Sequence, residues 1–219
     1  MTGQTGSPLA VLQRIQRSRP LPPPGESCEM CAAPIVDDDH SHVVNIGSRS
    51  LMCTCRGCYL LFTSDDATLA YRAVPDRYLS FPSFELTQLQ WDDLQIPVGI
   101  AFFFNNSQLE QTIAFYPSPA GATESELPLG AWVELVSTNP ALGTLRPDVE
   151  ALLVRDRGAD FDCYLVPIDA CYELVGHLRK SWRGFDGGEE VHRRLEDFFT
   201  EVRNRSRPAP AVVPSEGGK

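Results

Sequence analysis

Residues 51–62 read LMCTCRGCYLLF, with Cys53, Cys55 and Cys58 crowded into six positions. The stretch completes a pattern begun by CEMC at Cys28 and Cys31. Two Cys-x-x-Cys pairs with about twenty residues between them match the spacing of a four-cysteine zinc site. Each pair closes a tight turn that points two thiolates the same way, and two facing turns supply a tetrahedron. The intervening SHVVNI (41–46) and RSLMCTC (49–55) are strand-like and flank Gly47 and Ser48, a hairpin turn. A β-hairpin carrying a metal-binding turn at one end is the zinc-ribbon arrangement. Metal–thiolate bonds would hold together a unit too small to fold on its own core.

Three neighbours complicate the assignment. Cys53 alternates with Cys55 along the expected strand, so both side chains share a face. It either replaces Cys55 as a ligand or lies behind the site as a buried thiol, and the Cys-x-x-Cys spacing favours Cys55. His40 and His42 enter the hairpin beside three aspartates, and with Cys53 they are candidates for additional metal or redox ligands. The competing reading is an exposed acidic loop with solvated histidines. Four thiolates suit Zn2+, and equally a single iron ion or an iron–sulfur cluster. Rieske-type ligation needs Cys-x-His partners that are absent from the sequence, and zinc is the favoured ion.

Outward from this cluster, the 219 residues form one medium domain or a small module attached to a larger one. An apolar fraction of 42% supplies a real core. The formal charge of −10 argues against a nucleic-acid partner, which would need clustered Lys and Arg. Basic residues gather instead at the ends, as Arg14, Arg17 and Arg19, and as Arg203, Arg205 and Arg207. No run approaches the roughly 18–20 apolar residues of a membrane span. The first residues lack the charged-then-apolar order of a secretory signal. These features predict a cytoplasmic protein without membrane insertion, where seven cysteines, five of them crowded, fit metal ligation better than disulfides.

Four segments follow. Residues 1–25 read as a disordered arm, with a short helix at 8–17 and the stiff linker RPLPPPG. Residues 26–62 are the Cys-rich metal-binding module, 63–204 an α+β domain, and 205–219 a disordered tail. In the larger domain TQLQWDDL predicts a helix capped by Thr87. PVGIAFFFNN and EQTIAFYP predict a hairpin, GAWVELVST a helix, and VEALLVRD and DCYLVP two more strands. Ile168, Cys171, Leu174, Val175, Leu178 and Trp182 recur at helical spacing, with Asp169 near the N-cap. Val191, Leu195, Phe198, Phe199 and Val202 form a second stripe. The expected architecture is a mainly antiparallel sheet of about four strands with helices packed on it, preceded by a small zinc-ribbon-like unit.

Other features carry weaker chemistry. Cys163 and Cys171 read as buried small hydrophobes rather than a catalytic pair. His177 and His192 fall on separate helices without a nucleophile pattern. The segment FYPSPAGATESELPLGAW (115–132) predicts a long loop in which TESE (123–126) resembles a capping box. Ser118, Thr123 and Glu124 there are candidates for a docking or ligand-binding loop. GFDGGEEV places glycines before a helix, but Glu189 and Glu190 would repel a phosphate. No P-loop, dinucleotide fingerprint, Gly-x-Ser-x-Gly elbow or HExxH is present, so no nucleotide site and no catalytic residue is assigned.

The strings CEMCAAP, CTCRGCYLLF, YRAVPDRY, IPVGIAFFF, FYPSPAGATESELPL, PDVEALLV and YLVPIDACYELVGHLRKSWRGFDGGEEV resemble an uncharacterised actinobacterial family known only as a domain of unknown function. The resemblance spans roughly residues 28–205. It places Cys28, Cys31, Cys53, Cys55 and Cys58 within the family pattern, and it implies an origin beside nickel–iron uptake hydrogenases and their maturation genes. The resulting expectation is a non-catalytic, metal-binding accessory protein with structural zinc, whose partner is a hydrogenase or one of its accessory proteins. The alternative is an iron–thiolate or iron–sulfur protein passing electrons to or from that system.

Overall fold

Three apolar runs between residues 100 and 167 become strands with both faces covered. They are β5 (Ile100–Asn106), β8 (Glu150–Asp156) and β9 (Phe161–Pro167). A computed structural model describes residues 26–35, 40–64, 70–119, 121–183 and 188–210. The expected arm and linker, the three aspartates before His40, and most of the glycine run at 184–188 lie outside the described residues.

Pairing in the sheet sets Phe102 opposite Leu153 and Phe103 opposite Leu152, and then Leu153 opposite Tyr164 and Leu152 opposite Leu165. Side chains alternate across a strand, so the run divides into two sets. Ala101, Phe103, Leu152, Val154, Cys163 and Leu165 face one core. Phe102, Ala151, Leu153, Tyr164 and Val166 face the other. Burial on both sides explains why these strands are continuously apolar rather than alternating.

The first core is closed by α2 (Gln88–Asp93), α3 (Leu129–Thr138) and a 3-10 turn (Pro140–Thr144). Trp91, Leu94, Trp132, Leu135, Leu142 and Leu145 supply its far side, with Trp132 stacked on Phe103 at 5.1 Å between ring centroids. Thr87 caps α2 in a reciprocal capping box with Gln90, as its sequence predicts. The second core is closed by α4 (Ile168–Ser181) and α5 (Gly188–Arg205), through Ile168, Ala170, Cys171, Phe199 and Val202.

The protein is α+β with a mainly antiparallel sheet, but that sheet is wider than the expected four strands. Seven strands run in the order β10-β4-β9-β8-β5-β6-β7. Here β6 is Gln111–Ser118, β7 Gly121–Ser125, β4 Leu79–Ser80 and β10 Arg207–Pro208. Among the described residues, only the β10–β4 pair is parallel. Its presence means that Arg207 and Pro208 belong to the sheet, and the rest of the expected tail, 211–219, lies outside the described residues. The predicted loop at 115–132 is corrected in the same way. Residues 121–125 form an edge strand, and Thr123 lies in that strand rather than capping a helix. An edge strand needs one sheltered face only, which the small polar residues of GATES provide without an apolar signal.

The Cys-rich part forms a separate antiparallel sheet ordered β2-β1-β3, with β1 at Ser41–Asn45, β2 at Ser50–Thr54 and β3 at Tyr71–Ala73. Val44 and Val74, with Leu51 against them, enter the second core of the large sheet. Polar ties reinforce the junction. Arg72 of β3 donates to Asp148 at 3.2 Å and to the carbonyl of Pro147 at 3.3 Å. Arg77, between the two sheets in sequence, grips the fully buried Glu150 in a two-pronged ion pair of 2.7 and 2.6 Å. Glu150 also accepts the backbone N–H of Arg146. A buried carboxylate is tolerable only when its lone pairs are used in this manner. Among the described residues, no buried side-chain polar atom lacks a hydrogen-bond partner, and no helix is long and apolar enough to cross a membrane.

Candidate metal centre

The first Cys-x-x-Cys turn is built by the backbone. Ser27 bridges Pro34, the N–H of Cys28 donates to Ala33, and the N–H of Ala32 donates back to Cys28, both at 2.8 Å. Ala32 turns the chain at φ 60°, a left-handed conformation uncommon for a residue with a side chain. Glu29 fastens this turn to β2: its N–H donates to the carbonyl of Cys53, and its carboxylate accepts the N–H of Cys53. The second turn places Cys55 in extended conformation just before α1 (Arg56–Leu60), and its carbonyl accepts the N–H of Tyr59.

The two turns face each other. The sulfurs of Cys28, Cys31, Cys55 and Cys58 all lie within 4.8 Å of one another. Cys31 and Cys55 are 3.8 Å apart, sulfur to sulfur. A tetrahedron with metal–sulfur bonds of about 2.3 Å has edges of about 3.8 Å, so the donor set fits a tetrahedral thiophilic ion. All seven cysteines are free thiols, so none of the four is spent in a disulfide.

Electrostatics within the cluster point the same way. Burial opposes ionisation of Cys28, yet backbone N–H groups of Cys55, Cys31 and Met30, with the Cys31 side chain, outweigh it and hold this thiol at about 6. Burial pushes Cys58 up to about 12, assisted by hydrogen bonds to the Cys31, Cys28 and Cys55 side chains and by the charge of Cys28. Ionisation of Cys28 is therefore favoured, while Cys58 resists it, through burial first and through the nearby Cys28 charge last. A dication removes that resistance. The group is positioned for metal binding.

Cys53 stands apart from these four. It pairs directly with His42 across β1 and β2, and ligand-capable atoms of His40, His42 and Cys53 lie within 4.8 Å of one another. His42 Nδ1 is 2.8 Å from a carboxylate oxygen of Asp169 on α4. His40 Nδ1 is 3.5 Å from Glu26. By proximity Cys53 groups with the two histidines, while Cys55 groups with Cys28, Cys31 and Cys58.

The remaining candidates separate. Ser118 ends β6, and Thr123 on β7 donates to it at 2.8 Å, with Glu124 beside Thr123 on the edge strand. Cys163 and Cys171 are buried in opposite cores, and burial raises both thiols. His177 contacts Glu173 and His192 contacts the carbonyl of Gly188, each within its own helix. Asp169 escaped notice as anything but a helix-start residue, because its partner lies 127 positions away. Arg77 and Glu150 were missed for the same reason. A carboxylate, Glu150, within the apolar run after Pro147 is a sequence signal that could have pointed to a buried ion pair.

A model of the family of unknown function DUF5947 matches residues 27–206, and the chain belongs to that family. No curated protein and no solved structure matches the chain.

Proposed function

We propose that this protein is a non-catalytic metal-binding accessory protein of the cytoplasm, with Cys28, Cys31, Cys55 and Cys58 holding Zn2+ as a structural ion. The observation that carries the reading is the set of four mutually adjacent thiols, with one 3.8 Å sulfur–sulfur separation at tetrahedral spacing. Zinc has no redox chemistry and, with four protein ligands, no position open to substrate. Its contribution is cohesion of the small sheet. Free thiols throughout accord with a reducing compartment.

The accessory role is proposed for the assembly or function of a nickel–iron hydrogenase system, on the strength of the sequence strings quoted above. The edge strand β7, carrying Thr123 and Glu124 next to Ser118, is the proposed docking surface for a hydrogenase component or accessory protein. Iron in the same four thiolates is the second reading. It is favoured by the exposure of Cys31, which would bring a redox ion close to the surface.

Metal analysis with a visible spectrum on anaerobically purified protein separates the two. A colourless protein with stoichiometric zinc is expected. Thiolate-to-iron absorption would transfer the assignment to the redox reading, and absence of bound metal would overturn both. Co-purification of a hydrogenase component with the tagged chain, weakened by Glu124→Arg, is the expected result for the partner.

A further inference from the structure

We propose that His40, His42 and Cys53 form a second metal site, distinct from the four-cysteine centre, that binds a late first-row divalent cation and leaves one coordination position open. The three donors come from adjacent positions of one hairpin. His40 just precedes the central strand β1 and His42 lies within it, Cys53 sits opposite His42 on β2, and their ligand-capable atoms converge within 4.8 Å. Two imidazoles and one thiolate suit Zn2+, Co2+ or Ni2+, and three protein donors are the number found where metal ions accept an external ligand.

The surroundings fit that assignment. Asp169 holds Nδ1 of His42, which fixes the ring and leaves Nε2 to coordinate. Glu26, an exposed carboxylate, stands at ion-pair distance from His40, 3.5 Å from its Nδ1, a looser contact than that of Asp169 with His42. A carboxylate behind each metal-binding histidine is the usual second layer of such sites, and it makes the imidazole a better donor. The His40 and His42 rings, 4.6 Å apart between centroids, line an open cleft of about 830 Å³ between the small sheet and α4. Tyr78, Arg56 and Arg205 form other parts of its wall. The two histidines, though not Cys53, thus border a space large enough for water or a small ligand. A nucleophilic Cys–His–Asp arrangement would need one histidine only, and the convergence of two on the same thiol favours a metal.

The site goes beyond the proposed function and does not depend on the ion at the four-cysteine centre. Its test uses the full chain, treated with a weak chelator so that only tightly held metal stays, and then titrated with Co2+. The expected result is one further equivalent bound with a thiolate-to-cobalt charge-transfer band. Cys53→Ser should abolish the band, and His40→Gln or His42→Gln should abolish or severely weaken binding. Asp169→Asn should weaken binding about 10–100-fold while the band persists, and Cys163→Ala should change nothing. Failure of the chain to take up a further equivalent overturns the proposal, as does an unchanged band in Cys53→Ser. Should Cys53→Ser not fold, the two histidine variants carry the test, and full binding in both overturns it. Zinc retained through the chelator step, and lost in Cys28→Ser, reports the first centre separately.

Discussion

The two sheets of this protein are held by different physics. The seven-stranded sheet is covered on both faces, and Phe103, Ala151, Leu153, Leu165 and Val166 on its strands are fully buried. The three-stranded sheet buries little besides Val43, Val44, Ile46, Thr54 and Val74, and its helix α1 has no buried residue at all. Leu60 and Leu61, at that helix's end, are 53% and 67% exposed. An element with so little apolar burial cannot offset its own chain entropy. Cohesion there must come from the cysteine cluster and from docking on the large sheet. One chain thus sets a region where hydrophobic burial suffices beside one where, on the proposed reading, coordination by the four thiols would substitute for it.

Cys28→Ser should break the comparison hardest. Structural zinc contributes on the order of 10 kcal/mol to small metal-folded units. The variant should lose bound metal and expose 26–62 to proteolysis while the large sheet persists. Limited proteolysis with mass mapping would show this, and equal resistance of both regions would contradict it. Phe103→Ala attacks the other side. Removing a fully buried ring stacked on Trp132 should cost about 3–5 kcal/mol in denaturant midpoint while leaving metal content unchanged.

Arg77→Ala probes the seam. It strips the partner from buried Glu150 and should cost about 3 kcal/mol, the lower end of the range for an orphaned buried charge, because Arg77 is itself partly exposed and water can replace it. Loss in Arg77→Met as large as in Arg77→Ala would identify the missing charge, rather than missing packing, as the cause. Thr87→Ala is the smallest change. It removes the capping box of α2 and should cost about 1 kcal/mol, measurable as a shift in unfolding midpoint with no effect on metal.

Legibility in the sequence follows the same division. Local periodicity and spacing were sufficient for the helix with Thr87 at its start, for α4 and α5, for the apolar strands IAFFF, ALLV and CYLV, and for the two facing Cys-x-x-Cys pairs. These signals lie within a few residues of one another. The strands β4, β10 and β7 were not legible, because two-residue strands and the polar run GATES have no pattern of their own and exist only where a neighbour offers a free edge. The same limit hid Asp169 behind His42 and Glu150 behind Arg77, pairs separated by 127 and 73 positions. Cys53 lay between these cases: the sequence marked it as a fifth thiol, and only the register of β1 against β2 joined it to His42.

Hydrogen exchange on the full reduced chain, before and after metal removal by a strong chelator, tests the central claim most directly. The account predicts that amides of 27–58 lose protection when metal leaves, while those of β8 and β9 keep theirs. Unchanged protection in 27–58 after complete metal removal would contradict it, because the small sheet would then stand without the ion assigned to hold it.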